Sequence, residues 1–150
     1  MKPLIVLLSV TLLAIVVYLV LGKDPDYMHA GRIGMGSMLL FTALGHFLYK
    51  KGMTQMMPAA IPYKEFWVVA TGIIEILAAI ALFFSLATTL TGWLLILFFI
   101  CLLPANINAA INRIDYQRPE GIGPGVSYLW FRIPLQVLFI VWVYWTCIWA

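Results

Sequence analysis

The chain has 150 residues, 64% of them hydrophobic and only 10% charged, against about 45–50% apolar and about 25% charged in an ordinary soluble domain. So few charges cannot cover a water-soluble fold of this size, so the length allows one domain and the composition puts it in a bilayer. A formal net charge of +3, scattered along the chain, sets aside a nucleic-acid footprint. The two cysteines, Cys101 and Cys147, lie in apolar runs without a CxxC or a Cys/His cluster, which argues against a disulfide framework, a zinc site or a dithiol redox motif.

A membrane-crossing helix needs about 20 predominantly apolar residues, within roughly 17–25, and five stretches qualify. Leu4–Leu21 carries no charge and stops at Gly22-Lys23-Asp24-Pro25. Its apolar run is long for a signal peptide and Val20-Leu21-Gly22 is a poor cleavage site, so residues 1–22 read as an uncleaved signal anchor. Ile33–Tyr49 is interrupted only by His46 and ends at Lys50-Lys51. Phe66 to about Leu86 contains one charged residue, Glu75. Trp93–Ile111 contains Pro104 and two asparagines, and Tyr128–Trp149 contains Arg132, Pro134 and Gln136. Unpaired backbone groups are too costly in lipid, so each stretch is expected to be a helix.

Alternate connections carry Lys2, Lys50, Lys51, Lys64, Arg113, Arg118 and Arg132 on one side, and Lys23 and Arg32 on the other. The basic excess orients the N-terminus to the cytoplasm and the C-terminus outside. Between spans, Ser85–Thr91 allows only a tight turn. Lys51–Lys64, with Met53, Met56 and Met57, is expected either on the membrane surface or packed over the mouth of the bundle. Asn112–Ser127 reads as a solvated connection ending at Ser127, an N-cap for the last helix.

Polar side chains at membrane depth demand partners. Glu75 lies about 15 Å into its helix, near the midplane. His46, Asn106, Arg132 and Gln136 come from three other helices and fall towards the basic end. Thr71, Gly72, Glu75, Ala78 and Ala79 share one face, and small residues mark helix contacts in membranes. Glu75 is therefore expected to point inward. Pro104 is expected to free a carbonyl one turn earlier and bend its helix just before Asn106. Each residue also has a bland reading: His46 bonded to a backbone carbonyl, the asparagines in interhelical hydrogen bonds, Arg132 snorkelling to headgroups, and Glu75 in a structural clasp with Arg132 or His46.

Gly45-His46-Phe47, Met57-Pro58, Ile61-Pro62, Thr71-Gly72-Ile73-Ile74-Glu75-Ile76, Leu103-Pro104-Ala105-Asn106-Ile107 and Leu129-Trp130-Phe131-Arg132-Ile133-Pro134-Leu135-Gln136 resemble, in order and spacing, the DoxX-like family of small multi-pass membrane proteins. The resemblance runs from about Ile33 to Trp145 and implies an all-α, four-helix transmembrane bundle over residues 30–150. The N-terminal span is additional to that core and is expected to pack outside it, giving five spans, N-in and C-out, in a bacterial inner membrane. The family takes its name from subunits of a thiosulfate:quinone oxidoreductase, and some related eukaryotic proteins look like assembly factors.

Two functions follow. In the first, His46, Glu75, Asn106, Arg132 and Gln136 line one polar intramembrane site, reachable from the cytoplasm, for a small apolar or quinone-like ligand or lipid. His46 and Glu75 are the candidate proton-handling groups. The chain holds no haem, dinucleotide or metal motif, so it is at most a membrane subunit of a quinone-linked oxidoreductase, partnered by another subunit or by a second copy of itself. In the second, the polar groups only hold the bundle and the chain is a non-catalytic accessory or assembly factor for another membrane protein. A proton-coupled transporter built on Glu75 is a third reading, weakened by the lack of an internal repeat.

Overall fold

In the computed structural model, which describes residues 2–149, the chain folds into helices α1 (Lys2–Val20), α2 (Tyr27–Leu48), α3 (Lys50–Met56), α4 (Lys64–Phe83), α5 (Thr88–Ile111) and α6 (Leu129–Val143). A 3-10 turn at Val126–Tyr128 leads into α6, and a π-helical stretch, Tyr144–Ile148, continues it. No strand forms among the described residues; one isolated bridge, Ile114 to Ile122, pins the loop between α5 and α6. Residues 1 and 150, the outer limits of the two expected domains, lie outside the described residues.

Four helical stretches are long and apolar enough to cross a membrane: Lys2–Val20, Lys64–Phe83, Thr88–Ile111 and Val126–Ile148. They are compatible with a multi-pass membrane protein. α2 has the length but not the apolarity, because it carries His29, Arg32, His46 and four glycines. Packing explains the difference. α2 lies between α1 and α4 and contacts both along its length, so much of its surface never needs to satisfy lipid.

Small residues set those contacts. At Gly34 a Cβ would run into the Thr11 side chain and the Leu7 carbonyl of α1. On the other side of α2, a Cβ at Gly36 would meet Phe83 at 2.9 Å, and one at Gly72 of α4 would meet the Cβ of His46 at 2.9 Å. α2 and α4 are thus antiparallel, with glycine at each end of their seam. The buried stripe of α4 is Val68, Gly72, Glu75, Ala79 and Leu82, the three-and-four spacing of one helix face. α5 and α6 form the other antiparallel pair. Gly92 lies against Cys147 and Ile148, and Phe99 stacks on Phe139 with ring centroids 5.9 Å apart.

The two pairs join at the end away from Lys50, Lys51 and Lys64. There Trp142 Nε1 donates to the Gly31 carbonyl at 3.1 Å, and Gly31 admits Thr146 against the backbone. The core of Leu7, Met35, Met38, Leu39, Ala79, Leu82, Leu95, Phe99, Phe139, Val143 and Cys147 fills the space between them. Towards the basic end the pairs part.

Three sequence expectations change. α2 begins at Tyr27 rather than near Ile33, because the Asp26 side chain accepts from the His29 amide at 2.9 Å and caps a turn whose residues are too polar to read as a span. Ser127 is not the cap of the last helix: it sits inside the 3-10 turn, and its hydroxyl donates to the Pro124 carbonyl at 3.3 Å. The Lys51–Lys64 connection is not all loop, since Lys50–Met56 is helical with Gly52 and Met56 buried. Of the two placements expected for it, the structure has the one over the bundle mouth. At Gly52 a Cβ would collide with the Tyr116 carbonyl, so only glycine lets α3 press onto the α5–α6 loop.

Candidate functional site

Where the helix pairs part, a cavity of about 260 Å³ opens between α2, α4, α5 and α6 under α3. His46, Glu75, Asn106, Arg132 and Gln136 all line it. A second chamber of about 590 Å³ lies towards the basic end and shares Thr42, Met53, Asn106, Tyr116, Tyr128 and Arg132 with the first. Pro3 of α1 lines both chambers and Lys2 the outer one, so α1, which packs chiefly on α2, also closes part of the site's wall.

At the inner limit, α2 and α4 present His46 and Glu75. The Val68 carbonyl can only accept, so the His46 Nδ1 at 2.9 Å carries the hydrogen and donates to it. The Thr71 hydroxyl lies 3.1 Å from the same nitrogen and donates to a backbone carbonyl of its own helix, Trp67 at 2.8 Å or Val68 at 3.0 Å. This network fixes the tautomer and turns Nε2 towards Glu75, 3.6 Å from its Oε2. That separation suits an ion pair but is too long for a hydrogen bond. Glu75 is 3% exposed, and its Oε2 has no hydrogen-bond partner. A buried carboxylate oxygen left unbonded is costly in an apolar setting, and the Glu75 side chain lines the cavity.

At the other limit, Arg132 of α6 donates to the Asn106 Oδ1 of α5, and its guanidinium lies 5.1 Å from the Tyr128 ring centroid and 5.8 Å from that of Tyr116. Asn106 Nδ2 reaches the Gln136 Oε1 at 3.4 Å, and Gln136 Nε2 donates to the Phe99 carbonyl. Phe99 is next to Ile100, whose carbonyl loses its usual amide because Pro104 has none, so Gln136 bonds the helix where the ladder is interrupted. The Glu75–Arg132 version of a clasp is not formed. Among the described residues the ion pairs are His46–Glu75 and an exposed Lys50–Glu65 at 2.9 Å. Arg132 is half-buried over two tyrosine rings.

Sequence reasoning brought the five polar residues together but missed much of their surroundings. Tyr116 and Tyr128 are not among the residues expected at the site, yet they cradle Arg132. Met53, Met56 and Met57 read as loop, yet with Met38 they line the cavity. Their signal was a methionine cluster beside two prolines, which marks adaptable packing without saying against what. Asn108 does not enter the site; its Nδ2 donates to the Met56 carbonyl at 2.9 Å and ties down the C-terminal end of α3. Cys101 and Cys147 are both unpaired.

Residues 35–147 match the family described as Domain of unknown function (DUF8561), and the chain belongs to that family. The match covers α2 from Met35 onward, α4, α5 and α6, and every residue lining the first cavity except Pro3. No curated protein and no solved structure matches the chain.

Proposed function

We propose that the chain is a DoxX-like, five-span protein of a bacterial inner membrane, N-terminus in the cytoplasm, that binds a small apolar or quinone-like ligand in the cavity between its helix pairs. The observation that carries this reading is the Glu75 carboxylate, nearly fully buried in a cavity wall with one oxygen unbonded. A purely structural carboxylate would be expected to have both oxygens satisfied; the Glu75 side chain instead lines a cavity from which a ligand hydroxyl or carbonyl could approach it. His46 Nε2, held at 3.6 Å by the Val68 and Thr71 contacts, can take or return the proton that such a group gives up or needs. α2 fits a fifth span because α1 and α4 flank it. The two chambers together fall within the size usual for small-molecule sites. Electrons for any redox step come from a partner subunit, with the chain supplying the ligand site.

Titration of decylubiquinone into the protein in lipid nanodiscs tests this. The expected result is a saturable rise in melting temperature and a one-to-one adduct in native mass spectrometry, both lost in Glu75→Gln. Absence of adduct and shift with the wild-type protein contradicts the reading.

A further inference from the structure

We infer that the ligand of this cavity carries an anionic head, a carboxylate or phosphate, and that Arg132 recognises it. The inference rests on the ligand-binding reading above and names the chemistry of the ligand's polar end. Arg132 stands where the two chambers meet and lines both. Its partners are all neutral: the Asn106 amide oxygen and the faces of Tyr116 and Tyr128. The carboxylate of the inner chamber, Glu75, is taken by His46. Among the described residues Arg132 has no ion pair, although it is half-buried at the edge of an apolar bundle, where a compensating anion has most effect.

The neutral partners also orient it. Two rings and one amide hold the plane of the guanidinium while engaging one of its five donors, which leaves a fork suited to a two-oxygen anion. The outer chamber adds Lys2 as a second cation against one acid, Asp115, so the approach from the basic end is electropositive. From Arg132 inward the walls become Leu102, Leu135, Phe99, Phe139 and Met38, which take an apolar body. An amphiphile with its head at Arg132 and its body directed towards Glu75 satisfies both ends. Such a head belongs either to a membrane lipid or to a free single-chain acid; both offer Arg132 the same oxyanion.

The test compares decanoate with 1-decanol, two probes of equal chain length that differ in charge, on the full chain in phosphatidylcholine nanodiscs, read by native mass spectrometry and thermal shift. Decanoate is expected to bind the wild-type protein at least about tenfold more tightly than decanol, the worth of one charge-assisted hydrogen bond. Arg132→Gln brings decanoate down to the level of decanol, and Arg132→Lys restores part of the preference. Should Arg132→Gln fail to fold, Asn106→Asp serves in its place: it leaves Arg132 intact but supplies its counter-ion, and is expected to erase the preference for the acid. Nanodiscs containing phosphatidylglycerol separate the two sources. Displacement of decanoate there assigns the head to a lipid, and retention assigns it to a free acid. Equal binding of acid and alcohol to wild-type protein, or a preference that survives both substitutions, overturns the anionic head while decylubiquinone binding still upholds the cavity. Loss of all three probes overturns both.

Discussion

The two ends of the bundle are built on opposite rules. At the end away from the basic cluster the helices approach through Gly31, Gly34, Gly36 and Gly92, Trp142 bonds across the pairs, and Met35, Leu95 and Val143 are at most 1% exposed. At the basic end the two helix pairs part, and polar side chains occupy the gap: Asn106 and Gln136 bond each other and one further group each, Arg132 uses one of its donors, and Glu75 Oε2 has no hydrogen bond. Dry close packing needs only shape, so any small residue at the crossing serves it. A polar cavity needs partners, and here Glu75 Oε2 has no hydrogen bond and Arg132 uses one of its five donors; at the other end Arg32 Nε is the further buried atom without a partner among the described residues. The contrast teaches that the polar residues are not what holds the bundle together. The glycine crossings do that, and the cavity is what the fold leaves open.

The substitution that breaks this contrast most severely is Gly72→Leu. A branched chain there drives into His46 and Phe47 across the α2–α4 seam. The overpacking is expected to cost about 1–3 kcal/mol or more, and folded yield in detergent should fall sharply; a wild-type yield and melting curve would show that the seam can yield. Replacing residues 1–22 by a new start should be milder. α1 buries only Leu7 and Thr11 within its own length and leans on α2, so the rest should still insert, with a lower melting temperature and a leakier cavity wall. Complete loss of membrane insertion would contradict this. Smallest in stability is Glu75→Gln. The amide keeps the shape, and Arg132 does not depend on Glu75, so the loss should stay at about 1 kcal/mol, the ordinary cost of a single substitution, while ligand binding is lost. A loss of several kcal/mol would restore the clasp.

How far the sequence foretold this depends on the kind of signal. The all-helical class and the inward polar set were legible, because hydropathy and the cost of charge in lipid act on each residue separately. Glu75, Asn106 and Gln136 had nowhere else to point. The pairings were not legible: Glu75 could reach Arg132 or His46, and only the Gly72 approach, which brings α2 and α4 together, decides for His46. α3 was hidden for a related reason. Its helix depends on Gly52 fitting under Tyr116, a contact far apart in the chain. The early start of α2 had a local signal in Asp26, obscured by the search for apolar length alone.

The central claim is a cavity reachable from the basic end and sealed from the other. Single cysteines placed at Thr42, Asn106, Met35 and Val143, in a background with Cys101 and Cys147 replaced by alanine, test it with a membrane-impermeant methanethiosulfonate applied to each side of oriented vesicles. Thr42 and Asn106 line both chambers, while Met35 and Val143 are fully buried beyond them. The account predicts labelling at 42 and 106 from the cytoplasmic side only, and none at 35 or 143 from either side. Labelling at 35 or 143, or protection at 42 and 106, would contradict it.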